Sequence, residues 1–69
     1  MNDDELHDKA TKHYFQWGEE NGLTLDQPGR YASEITREGN AYRVLLRSGD
    51  RLLYDYWLQD DGFEYSVNH

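Results

Sequence analysis

The sequence contains no cysteine. No disulfide can staple it, and cysteine-based zinc sites are excluded. That absence leaves the redox compartment open, because a reduced intracellular chain and a cysteine-free secreted chain look alike. Long apolar runs are also missing. Val44-Leu45-Leu46 is as long as an uninterrupted stretch becomes, far short of the roughly 20 residues of a membrane helix. The chain opens Met1-Asn2-Asp3-Asp4-Glu5, with none of the basic-then-apolar order of a signal peptide. A soluble, cytoplasmic protein is expected. Cations are scarce: 7 Lys and Arg stand against 14 Asp and Glu, for a formal charge of −7. Such a balance disfavours binding to a phosphate backbone and docking on anionic lipid.

The length of 69 residues allows a single domain, 1–69. A chain near this size buries only about 60% of the surface it exposes when unfolded, so its stability margin is thin. Hydrophobic residues make up 36% and the mean hydropathy is −1.09, which approaches disordered composition. Folding is argued by the aromatics: six Tyr, two Trp and two Phe. Each buries a large area, and together they can dominate a small core.

Residues 3–20 read as a helix. Asn2 or Asp3 can cap its start, and Asp3, Asp4 and Glu5 put negative charge at the positive end of the dipole. Leu6, Ala10, Tyr14 (with His13) and Trp17 recur at helical spacing. Asn21-Gly22 suits a left-handed cap. Gly18 weakens the last turn, and Phe15 falls at the stripe's edge. Residues 23–30 read as a loop in which Leu23 and Leu25 tuck under the helix end and Pro28-Gly29 turns the chain.

From Tyr31 the apolar period changes to two. Strands are expected at about 31–38, 41–48, 51–58 and 63–67. Gly39-Asn40, Ser48-Gly49-Asp50 and Asp60-Asp61-Gly62 break them with hairpin chemistry. A two-residue first turn pairs Arg37 with Tyr42, Ile35 with Val44 and Ser33 with Leu46. A three-residue second turn pairs Leu46 with Leu52, Val44 with Tyr54 and Tyr42 with Tyr56. A four-residue third turn pairs Leu58 with Phe63, Tyr56 with Tyr65 and Tyr54 with Val67. One face then carries Tyr31, Ile35, Tyr42, Val44, Leu46, Leu52, Tyr54, Tyr56, Leu58, Phe63, Tyr65 and Val67. The expected fold is α+β: an N-terminal helix packed on a three- to four-stranded antiparallel β-meander, in two layers. Slippage by one residue would move a strand's apolar set to the other face.

A single helix cannot cover both faces of a sheet. The other face is expected to carry Ala41, Arg43, Leu45, Arg47, Arg51, Leu53, Asp55 and Trp57, with Glu34, Thr36 and Glu64 beside them. In this register Leu45 lies opposite Leu53, Ala41 opposite Trp57 and Arg43 opposite Asp55. Trp57, Leu45 and Leu53, oriented by Arg43 and Arg47, form the candidate partner-binding patch, since Trp, Leu and Arg anchor interfaces. Scattered surface apolar residues and cross-strand ion pairs are also ordinary sheet features.

No residue set suggests catalysis. Ser33, Ser48 and Ser66 lack a visible triad. Asp60-Asp61 reads as a turn former rather than an acid–base pair. His7 and His13 fall on different helix faces, and an Asp3–His7 pair is a weak chelate, so no metal or cofactor is expected. His69, at the last position, is expected to fray.

The function expected is therefore a small acidic, non-enzymatic protein-binding domain. Asp60, Asp61, Glu34 and Glu38 belong to an acidic surface that can steer toward a basic site. An inhibitor or adaptor occupying a basic or nucleic-acid-binding site of its partner fits this. The chain is similar to phage-type inhibitors in size and charge only, and no motif carries that similarity. A self-associating module using the outer sheet face is the alternative. An accessory nucleic-acid binder, clamping a strand with Arg43, Arg47, Arg51 and Trp57, is third.

Overall fold

A computed structural model describes residues 1–67; His69 lies outside the described residues. The chain forms α1 (Asp3–Glu20), β1 (Glu34–Glu38), β2 (Ala41–Ser48), β3 (Arg51–Gln59) and β4 (Glu64–Ser66). The four strands make one antiparallel sheet in the order β1-β2-β3-β4. Helix α1 packs across one face of it, giving an α+β two-layer fold.

Helix α1 begins and ends as its residues dictate. The Asn2 side chain accepts the Glu5 N–H at 2.9 Å, satisfying one of the free donors of the first turn. At the other end Gly22 takes φ +65°. The Leu23 and Gly22 N–H groups then donate to the carbonyls of Gly18 and Glu19, a Schellman closure. Leu6, Ala10 and Tyr14 are buried, and Trp17 packs beside them. Gly18 is buried as well. A Cβ there would collide with the Leu25 side chain, so glycine lets the loop leucine reach the core. Leu25 tucks in as expected, whereas Leu23 is exposed.

The core consists of Leu6, Ala10 and Tyr14 against Val44, Leu46, Tyr54, Tyr56 and Leu58. Four expectations need correction. The first strand starts at Glu34, and Tyr31, assigned to the core face, is 95% exposed. Residues 29–33 instead anchor to the end of β2. The Gly29 N–H donates to the Arg47 carbonyl at 2.8 Å, and the Arg47 N–H donates to Ser33 Oγ at 3.1 Å. Ser33 therefore does not pair with Leu46 in the ladder. From Glu34 onward the β1/β2 register is the expected one, with Ile35 opposite Val44 and Arg37 opposite Tyr42.

Second, the β2–β3 turn closes on Gly49-Asp50 alone, with Ser48 opposite Arg51 and Gly49 at φ +61°. A bulge follows. Arg47 pairs with Leu52 and Leu46 with Tyr54, so Leu53 is the extra residue. The shorter turn and the bulge together shift the pairing by two residues. Past the bulge each strand keeps its face but every partner changes: Val44 faces Tyr56, and Tyr42 faces Leu58. Third, Leu52, expected in the core, is 38% exposed, and Leu53 packs against the core in its place.

Fourth, the third turn spans 60–62 rather than 59–62. Gln59 donates its N–H to the Phe63 carbonyl at 2.9 Å, and Gly62 takes φ +91°. One residue fewer slides β4 by one position: Trp57 pairs with Tyr65 and Leu58 with Glu64. Phe63, Tyr65 and Val67 therefore share the face of Trp57, away from the helix.

Candidate functional site: the uncovered face of the sheet

Among the described residues, one face of the sheet carries no second layer. Strand β2 places Ala41, Arg43, Leu45 and Arg47 there, β3 places Asp55 and Trp57, and β4 adds Tyr65. Leu53, expected on this face, is turned toward the core by the bulge. Leu45 lies opposite Asp55 rather than Leu53, and Ala41 opposite Gln59 rather than Trp57. Ala41 is itself buried. Trp57 and Leu45 are half-buried.

An aromatic run organises the β3–β4 side. The rings of Trp57 and Tyr65 stack at 6.0 Å between centroids with planes 9° apart. Phe63 continues the run, its centroid 5.7 Å from that of Tyr65. Phe63 is 58% exposed. On the β2 side the Arg43 guanidinium lies 5.0 Å from the Trp57 ring centre, a cation–π contact. Trp57 is thus flanked by a cation and a second ring. Its Nε1 is shielded and has no hydrogen-bond partner among the described residues.

Beneath this run lies a buried acid. Asp55 is 1% exposed. It accepts from Arg43 Nε at 3.0 Å and Nη2 at 2.7 Å, a two-pronged pair. That hydrogen bonding is the largest influence holding the Arg43 guanidinium above its usual pKa. The expected Arg43–Asp55 association is present, but diagonally, because Arg43 stands directly opposite Trp57. Glu38 adds a second carboxylate 3.7 Å from Arg43.

The remaining arginines are likewise engaged. Arg47 lies 3.7 Å from Glu34, Arg51 lies 3.0 Å from Asp26, Arg37 lies 2.8 Å from Asp60 and Arg30 lies 2.8 Å from Asp4. Of the expected acidic surface, Glu34 and Glu38 accompany arginines along β1. Asp60 and Asp61 sit in the β3–β4 turn, where Asp61 Oδ1 accepts the Phe63 N–H at 3.0 Å.

Tyr65 and Phe63 escape the sequence reading, which assigns them to the core. The signal that would have found them is the turn: three residues ending in glycine form a regular hairpin link. On the helix side, β4 presents Glu64, which accepts the Tyr56 hydroxyl at 2.6 Å. Burial above all, then this bond, pushes the Tyr56 hydroxyl far above the ordinary tyrosine range. His13 Nδ1 lies 2.8 Å from the Tyr54 hydroxyl.

Comparison with protein-family models, curated proteins and solved structures finds no match to this chain. The functional reading therefore rests on residues and geometry.

Proposed function

We propose that this chain is a small acidic, non-catalytic protein-binding domain whose contact surface is the uncovered sheet face and whose partner carries a basic surface. The observation behind this reading is the Trp57–Tyr65–Phe63 run on a face that no described element covers. Aromatic side chains on an exposed face are the residues that anchor interfaces. The charge of −7 favours a basic partner. An inhibitor or adaptor that occupies a basic or nucleic-acid-binding site of that partner suits an apolar strip within an acidic surface. Direct nucleic-acid binding is less well supported, because Arg43, Arg47 and Arg51 already lie near carboxylates.

The test is capture by the immobilised chain from nuclease-treated lysate, followed by titration with the purified partner. A basic protein should be retained, with affinity falling at least tenfold for Phe63→Ser and with rising salt. Circular dichroism should show that variant folded. Equal affinity of Phe63→Ser and wild type, or salt-insensitive binding, overturns the reading. So does a partner found only in a second copy of the chain, which sedimentation over a concentration range detects.

A further inference from the structure

The sheet ends at β4, and the register of that strand decides what its edge offers. The Gln59 N–H donates to the Phe63 carbonyl at 2.9 Å, and the Val67 N–H donates to the Asp55 carbonyl at 3.0 Å. Inward-facing backbone groups recur at every second residue of an antiparallel strand. Phe63, Tyr65 and Val67 therefore turn their N–H and C=O groups toward β3. The backbone groups of Glu64 and Ser66 point away from the sheet. An edge of this kind is a template for another strand.

The side chains along this edge divide by face. Tyr65, with Phe63 and Val67 in line, borders the uncovered face. Glu64 and Ser66 face the helix, where β4 and α1 enclose an open cleft of about 420 Å³. His13, Gln16, Trp17, Glu20, Tyr54, Glu64 and Ser66 border it. Two carboxylates among aromatic rings form a receptor for a cationic side chain. Glu64 also borders an adjoining groove with Lys9, Lys12, His13 and Gln16, whereas Glu20 borders the cleft and not that groove, so the acidic end of the cleft is the one toward Glu20.

We propose that the open edge of β4 accepts an extended segment of a basic partner protein as a fifth strand. One Lys or Arg of that segment enters the cleft between Glu20 and Glu64, and its alternate, apolar side chains lie beside Tyr65. This rests on the protein-binding reading above and assigns it a mode of contact. Charge selects the occupant. Two copies joined edge to edge through β4 would bring together chains of −7 each, with both Glu64 side chains on the same face of the joint sheet. At the opposite edge β1 is lined by exposed Glu34, Arg37 and Glu38, the charged pattern that discourages strand addition.

The experiment titrates the isotope-labelled full chain with a capped alternating valine–lysine octapeptide. Amide exchange at Glu64 and Ser66 should slow about tenfold at saturation, because their N–H groups gain partners only when a strand is added. Ser66→Pro should abolish binding while folding normally, since proline is tolerated where an edge N–H faces solvent; Ser66→Ala controls for loss of the hydroxyl. N-methylating the peptide amides that face β4 should abolish binding to the unaltered protein. Glu20→Gln should weaken it about fivefold, and a valine–glutamate peptide should not bind. No binding up to about 1 mM overturns the proposal, as does binding that leaves the Glu64 and Ser66 amides unprotected or survives N-methylation. Edge-to-edge dimerisation without peptide also overturns it. If the peptide fails while partner capture still depends on Phe63, the strand-addition mode falls and the protein-binding reading stands; if both fail, both fall.

Discussion

Arg43 and Asp55 grip one another by two hydrogen bonds although they are not opposite each other in the ladder. The two-residue turn and the bulge at Leu53 together set this offset. They place Asp55 opposite Leu45 and let the guanidinium reach across diagonally while lying against Trp57. One ion pair thereby ties the backbone irregularity to the candidate interface.

Removing Arg43 takes a two-pronged charged partner from a buried carboxylate. The Asp55 side chain is wholly shielded while Arg43 is about a quarter exposed. Arg43→Ala should cost about 3 kcal/mol, because the buried carboxylate loses its compensating cation. The double variant Arg43→Ala/Asp55→Ala should cost clearly less than the sum of the two single changes. Urea unfolding of the four proteins measures this, and additive losses would show that the pair is not coupled.

Gly18 reverses a familiar expectation. In an exposed helix interior, Gly→Ala gains about 1 kcal/mol. Here the added Cβ meets the Leu25 side chain, and Leu25 packs on the core. Gly18→Ala should therefore destabilise by about 1 kcal/mol or more. Combining it with Leu25→Ala should remove the clash and restore the helix gain relative to Leu25→Ala alone. Thermal unfolding of the three variants resolves the sign.

The fold was legible where local chemistry and period agree. Asn2, the acidic first turn and Gly22 mark the helix, and the two-residue period marks the strands. Their faces are the expected ones in β2 and in β3 past the bulge, because a shift of two residues preserves parity. Elsewhere, single-residue accounting decided the outcome. A two-residue turn plus a bulge gives the same faces as a three-residue turn, so the alternation of apolar residues cannot tell them apart. It also cannot show that Leu53, not Leu52, turns inward. In β4 the odd positions Phe63, Tyr65 and Val67 are the apolar ones, and burying them is the natural choice from pattern alone. The structure instead packs Tyr56 against Glu64 and leaves those apolar residues outside. The candidate patch was thus half legible: Trp57, Leu45 and Arg43 were in place, and its two further aromatics were not.

Stability should fall at both ends of the pH scale for separate reasons. His7 is 7% exposed, with Nε2 unpartnered among the described residues. Burial first, then the charge of Arg30, lowers its pKa from 6.5 against the opposing influence of Asp8 and Asp4. The unfolded chain takes up a proton near 6.5 while the folded chain resists it. His7's contribution is therefore present above that pH and lost as the pH falls through the lowered value. The melting temperature should drop between about pH 7 and pH 5.5, and His7→Phe should flatten that drop.

At the alkaline end the sign is opposite. The Tyr56 pKa is raised far above 10.0 by burial and by its bond to Glu64. The unfolded chain loses this proton near pH 10 while the folded chain keeps it, so stability is present below that value and lost above it. A phenolate absorbance titration should show Tyr56 ionising only together with unfolding. Smooth titration of all tyrosines with the fold intact would contradict the buried geometry.

Trp57 provides the sharpest separation of fold from contact surface. Its ring is sandwiched between Arg43 and Tyr65, so the stacking needs an aromatic face. Its Nε1 is shielded without a partner, and an unmet buried donor costs about 1–3 kcal/mol. Trp57→Phe keeps a face for both neighbours and removes that donor, which offsets the smaller buried area. Its stability in urea should stay within about 1 kcal/mol of wild type. Trp57→Ala loses both stacks and should cost about 2 kcal/mol, below the range for a fully buried tryptophan because the ring is half-buried. If instead Trp57→Phe is as damaging as Trp57→Ala, the indole N–H has a partner and the sandwich does not describe what holds Trp57 in place.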